Sequence, residues 1–124
     1  MPPGLILFAH GARDPGWAEP FEALASRVRT LAPGIPVQLA FLELMPPDLE
    51  TATVELVARG VETIAIVPIF LGQGGHLRRD LPAQLRVLQA KHRGVEFVCA
   101  SPAGEDEAVL DAIASFCVRS LPTS

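Results

Sequence analysis

The chain has 124 residues, is 49% apolar and 19% charged, and carries a formal net charge of −4. That describes one globular domain, 1–124, with one core, and not a disordered chain. It also lacks the clustered positive charge of a nucleic-acid binder. The longest apolar stretch, 64–72, contains Pro68 and is too short to cross a bilayer, and no basic lead precedes the short run Leu5–Ala9. A soluble, cytoplasmic protein is therefore expected.

The first element is a strand over Leu5–Ala9, nearly continuous in apolar residues, as a strand buried on both faces should be. Phe21, Leu24, Ala25, Val28, Leu31 and Ala32 then follow helical spacing and predict an amphipathic helix. A second strand is expected over Val37–Leu44. Asp48 can cap a second helix, with Leu49, Ala52, Leu56 and Val57 inward and Gly60 at its end. The third strand, Thr63–Phe70, is again almost wholly apolar. Asp80 and Pro82 predict the start of a third helix, with Leu81, Leu85 and Leu88 on one face and His92 beside Gly94 at its end as cap or dipole partner. A fourth strand over Val95–Ala100 precedes a helix from about Glu105, with Val109, Ile113, Phe116 and Cys117 aligned on a face read as core. The strands start about thirty residues apart, the length of a βαβ unit. The alternation predicts an α/β fold: a four-stranded parallel sheet covered by helices on both faces.

In such folds ligands bind beyond the carboxyl ends of the strands. After the first strand comes Ala9-His10-Gly11-Ala12-Arg13-Asp14. Phe41-Leu42-Glu43-Leu44-Met45 lies at the end of the second, and Ile69 to Asp80 follows the third. Neutral imidazole binds divalent metals and accepts protons near neutral pH. Singly, His10 and His76 read as polar loop residues; together at one sheet edge they make a candidate metal or acid/base site. Glu43, in an apolar segment, either faces solvent from the pleat or is paired in a cleft, because burying it alone is costly. Gly72, Gly74 and Gly75 would let backbone approach a ligand closely. No P-loop or dinucleotide fingerprint is present, so no nucleotide cofactor is expected. Arg13 and Arg78 could clamp carboxylates, or be solvated with Arg13 paired to Asp14. The absence of a Gly-x-Ser-x-Gly elbow disfavours a serine hydrolase. Cys99 and Cys117 are too few and too far apart for a zinc ribbon.

Three ordered segments resemble the sirohydrochlorin chelatases, in particular the short, single-domain cobaltochelatases of cobalamin synthesis and their ferrochelatase relatives of sirohaem synthesis. They are Leu7 to Asp14, Ala40-Phe41-Leu42-Glu43, and Val67 to His76 followed by Asp80-Leu81-Pro82. The resemblance implies a flavodoxin-like three-layer αβα sandwich and a nucleotide-independent chelatase whose substrates are sirohydrochlorin and a divalent metal, Co²⁺ first, with Fe²⁺ or Ni²⁺ as alternatives. It implies His10 and His76 as metal-binding and catalytic histidines, with Glu43 as the acidic partner. Phe41, Leu44, Met45, Ile69, Phe70 and Leu71 would wall the macrocycle beside Gly74 and Gly75, while Arg13 and Arg78 meet its carboxylates. It also implies a homodimer, since longer relatives resemble two such modules in one chain. Ala12 stands where the family usually has Ser; a non-catalytic metal or tetrapyrrole carrier of the same fold is the alternative reading.

Overall fold

The structure is a computed structural model that describes residues 2–72 and 74–123, with the backbone alone described at His76. Its strands are β1 (Gly4–Ala9), β2 (Val37–Phe41), β3 (Thr63–Pro68) and β4 (Glu96–Cys99); its helices are α1 (Glu19–Leu31), α2 (Leu49–Ala58), α3 (Gly75–Lys91) and α4 (Glu107–Arg119). The four strands pair in parallel in the order β2-β1-β3-β4. The chain moves one way from β1 to β2 and the other way to β3. The carboxyl end of β1 is thus the switch point, where open α/β sheets form their ligand crevice.

Side chains alternate across the central strands. Ile6, Phe8, Ile64 and Ile66 are fully buried and face α2 and α3 through Leu49, Leu56, Leu81 and Leu88. Each large side chain buried this way stabilises the fold by about 1.5–3 kcal/mol before the entropy of ordering it is counted. The opposite face carries Leu5 and Leu7 against Leu24, Ala25 and Val28 of α1. Asp48 caps α2, accepting from the Thr51 backbone N–H at 2.8 Å, and Gly60 ends it with φ +87°. His92 is the C-cap of α3, its N–H donating to the Leu88 carbonyl at 2.9 Å.

Several elements depart from the sequence-based expectation. The second strand stops at Phe41 and not Leu44. The Met45 N–H turns back onto the Glu43 carbonyl at 2.9 Å, and Pro46 and Pro47 have no N–H to donate to a ladder. The third helix begins at Gly75, five residues before Asp80, and Pro82 sits inside it. Its missing N–H leaves the carbonyl of exposed Arg78 without its helical donor, a defect that usually costs about 3 kcal/mol. Position 76 is therefore helical, not part of a loop. A short 3-10 turn, Ala103–Glu105, precedes α4, which starts at Glu107 under an Asp106 cap. The largest correction concerns α4 itself. None of its residues is buried, and Cys117, read as core, is exposed.

Candidate functional site

His10 leaves the end of β1 with its ring edge-on to Phe70, centroids 4.5 Å apart at 74°. Phe70 is anchored below by a similar contact with fully buried Phe8, so one wall of the imidazole is set by the core. The His10 carbonyl accepts from the Trp17 indole N–H at 2.7 Å. Its Nδ1 lies 3.4 Å from Glu43 Oε1, and both side chains are about half exposed, 54% and 42%. A carboxylate beside Nδ1 favours the tautomer protonated there. That leaves the Nε2 lone pair for a metal ion or a proton.

Local backbone explains why Glu43 arrives at this point. The Glu43–Met45 hydrogen bond closes a tight turn about Leu44, which is exposed at φ +71°, a left-handed conformation that costs a leucine roughly 1–2 kcal/mol. Gly11 passes directly under the Glu43 carbonyl, so a Cβ at position 11 would collide with that oxygen. The His-Gly pair is thus a steric requirement: the imidazole and the carboxylate meet because the residue between them has no side chain.

Two clefts share His10. One, of about 390 Å³, is lined by His10, Trp17, Phe21, Ile69, Phe70, Leu71 and Gly72. The other, of about 370 Å³, is lined by His10, Leu42, Glu43, Asp80 and Gln84. The first is an apolar and aromatic wall; the second carries the polar groups. Of the sequence-predicted residues, His10, Glu43, Ile69, Phe70 and Leu71 converge here. Leu44 is exposed at the rim, and the Met45 Cγ lies near Gly11. Phe41 does not line the site. It is 3% exposed and lies behind Phe21, whose ring it meets edge-on at 6.0 Å. Arg13 and Arg78 are exposed, as are Gly74 and Gly75 at the start of α3. Among the described residues no ion pair joins Arg13 to Asp14, whose carboxylate instead accepts from the Gly16 N–H at 2.9 Å. The expected convergence of the two imidazoles lies outside the described residues, because the His76 side chain is not among them. Its helix position is informative all the same. Positions 76, 80 and 84 share one stripe of α3 by spacing, and Asp80 and Gln84 line the second cleft.

Sequence reasoning missed Trp17, Phe21, Asp80 and Gln84 as site residues. Trp17 is the chain's single tryptophan, seven residues after the histidine, and its spacing to Phe21 is one helical turn, so that pair was legible. Among the described residues no three His, Cys, Asp or Glu side chains cluster as a closed metal cage. Desolvation pushes the Cys99 thiol up, which keeps it a thiol and not a reactive thiolate at neutral pH.

The CbiX family model matches residues 4–118. A sirohydrochlorin cobaltochelatase of Sulfolobus acidocaldarius is 32% identical over 108 residues, covering 87% of this chain and 84% of that protein. A CbiX protein of Marinobacter aquaeolei VT8, described as a cobalamin biosynthesis protein, superposes with a TM-score of 0.78 at 37% identity, covering 96% of this chain and all of that one. SirB of Bacillus subtilis, solved with Fe³⁺, gives 0.80 at 27% identity; it covers 98% of this chain, which spans only 49% of SirB. With the same four-stranded architecture and a match over nearly its whole length, this chain belongs to the CbiX family.

Proposed function

We propose that this protein inserts a divalent metal ion, cobalt foremost and ferrous iron or nickel as alternatives, into sirohydrochlorin without a nucleotide, and that it works in the cytoplasm as a homodimer. The observation that carries the reading is the His10–Glu43 contact of 3.4 Å at the mouth of an aromatic cleft at the sheet's switch point. The relatives named as sirohydrochlorin cobaltochelatases support the substrate, and the cobalt complex of SirB supports the metal. The 49% share of SirB supports a second copy completing the cleft.

Metal insertion replaces two ring N–H protons by one divalent ion, so the site must hold an ion loosely and take protons away. In this reading His10 Nε2 presents the ion, and His76, on the stripe shared with Asp80 and Gln84, supplies a second imidazole. Glu43 fixes the His10 tautomer; once the ion has left Nε2, that nitrogen would accept one of the two macrocycle protons as the Nδ1 proton passes to Glu43, and the second proton would go to the His76 imidazole or to solvent; general-base assistance of this kind contributes roughly 10²–10⁴-fold. The apolar macrocycle lies against Trp17, Phe21, Ile69, Phe70 and Leu71, with Leu44, Met45, Gly74 and Gly75 at the rim. Arg13 and Arg78 attract the peripheral carboxylates locally, against a net charge of −4.

The test is direct. Purified protein at catalytic concentration is mixed with sirohydrochlorin and Co²⁺, Fe²⁺ or Ni²⁺ in turn, and the absorption spectrum is followed. Many turnovers per protein are expected with at least one metal. A spectral change that stops at one equivalent would identify a carrier and overturn the enzymatic reading.

A further inference from the structure

The pairing of β1 with β2 ends at Ala9, whose carbonyl accepts from the Leu42 N–H at 2.8 Å. His10 is the first residue beyond that ladder, yet two features of the site depend on the peptide that follows it. This peptide sets where the imidazole stands against Glu43, and it leads into Gly11, which has to pass under the Glu43 carbonyl. Its carbonyl is held from outside the sheet, by the Trp17 indole N–H at 2.7 Å.

Trp17 is itself fixed. It lies in the 3-10 turn Pro15–Ala18, which Asp14 caps; the Asp14 carboxylate accepts from the Gly16 N–H at 2.9 Å and its carbonyl from the Trp17 N–H at 3.0 Å. Pro15 presets the backbone of the turn's first residue. The indole stands 5.6 Å from the Phe21 ring, and Phe21 meets buried Phe41 edge-on. Three aromatic rings thus connect the core to the His10 carbonyl, as Phe8 and Phe70 connect it to the His10 ring. None of the turn's residues is buried, and Trp17 is 42% exposed. A hydrogen bond in such a place adds little net stability, because water would serve either partner. What it does is restrict the orientation of the peptide that carries the imidazole.

We infer that Trp17 is a positioning residue for His10, acting through its indole N–H, a role separate from that of the ring face in the cleft wall. The inference rests on the reading that His10 serves metal insertion.

Trp17 is the only tryptophan of the chain, so a tryptophan-requiring host fed benzothienylalanine replaces it alone. Sulfur then stands where the N–H was, and the ring keeps its shape. For Co²⁺ insertion into sirohydrochlorin, kcat is expected to fall about tenfold while KM stays within about twofold of the parent's. The thermal melt should stay near the parent's. In ¹H–¹⁵N spectra the His10 ring nitrogens should move toward tautomer-averaged shifts, because an unclamped imidazole spends part of its time away from Glu43. Trp17→Phe, which also lacks the donor, should show the same loss of kcat and the same ring shifts. An unchanged kcat, a loss accounted for by KM, or unchanged ring shifts in either protein would overturn the inference. A benzothienyl protein that does not fold would overturn it too, since the N–H would then serve the fold. Should the parent itself insert no metal, the reading of the reaction fails, and the ring shifts alone decide whether the indole positions His10.

Discussion

Gly11→Ala isolates the steric device at the centre of the site. An alanine Cβ at this position falls inside the contact distance of the Glu43 carbonyl oxygen and within 3.1 Å of the Met45 Cγ. The methionine can swing aside; the carbonyl belongs to a tight turn and cannot. The end of β1 and the turn at Leu44 must then part by on the order of 1 Å, a misplacement that typically costs about 10²-fold in rate when it separates groups that act together. The overpacking itself should cost about 1–3 kcal/mol and lower Tm by several degrees. Initial rates of metal insertion, read from the absorption change, and a thermal melt measure the two effects. Gly94→Ala is the control, because a Cβ there meets no atom within 4 Å; rate and melt should stay near the parent's. A Gly11→Ala protein that inserts metal at the parent's rate would refute the reasoning, since the 3.4 Å contact would then be irrelevant to the chemistry.

Other expectations follow from the same geometry. His10→Ala and His76→Ala should each abolish insertion while leaving the far-ultraviolet circular dichroism unchanged; parent-like turnover in either removes that imidazole from the mechanism. Protons compete with metal ions for imidazoles in general below about pH 6.5, so insertion should fall steeply below about pH 6, and a flat profile from pH 5 to 8 would argue against histidine as the metal donor. Arg13→Ala should raise KM several-fold at low salt with little change in kcat, and the difference should shrink as salt screens the attraction. At Asp48, the hydrogen bond from the Thr51 backbone, followed by that from its side chain, holds the carboxyl below its ordinary 3.8. A depressed folded value stabilises above the unfolded value and is lost as pH falls through the folded one. Asp48→Ala should therefore cost about 1 kcal/mol at pH 7, with the difference from the parent fading below about pH 4 in chemical-denaturation curves.

The sheet was legible because its evidence is local. β1 and β3 are buried strands of nearly continuous apolar residues, and their ends position His10 and the segment leading to α3 whatever the loops do. Boundaries were less legible where long-range geometry decides them. Glu43 reads as a strand residue until the turn at Leu44 is known, and that turn is set by Gly11 from a different element. Pro82 looked like a helix start because proline is favoured there; the preceding turn of α3, formed by Gly75 to Asp80, tolerates the lost hydrogen bond and moves His76 onto a helix. Phe41, at a strand end, reads as part of the substrate wall, yet Phe21 from α1 lies against it and it is buried. Periodicity correctly marked an apolar face on α4 but assigned it to this chain's core. A spacing pattern records that a face is apolar, and it says nothing about what covers it.

The openness of the site bears on the choice between chemistry and storage. A protein that stores a metal needs three or four donors closed around it, with solvent excluded, as structural zinc sites do. His10 and Glu43 are instead about half exposed and sit between two clefts, one apolar and one polar. An open pair of this kind would suit the proposed transfer, in which a protein donor is traded for a ring nitrogen and a donor that binds too well would stop the exchange. The flat apolar wall beside the same imidazole matches the face of a macrocycle better than the shell of a hydrated ion. The edge of Phe70 holds the ring at the boundary between these surfaces.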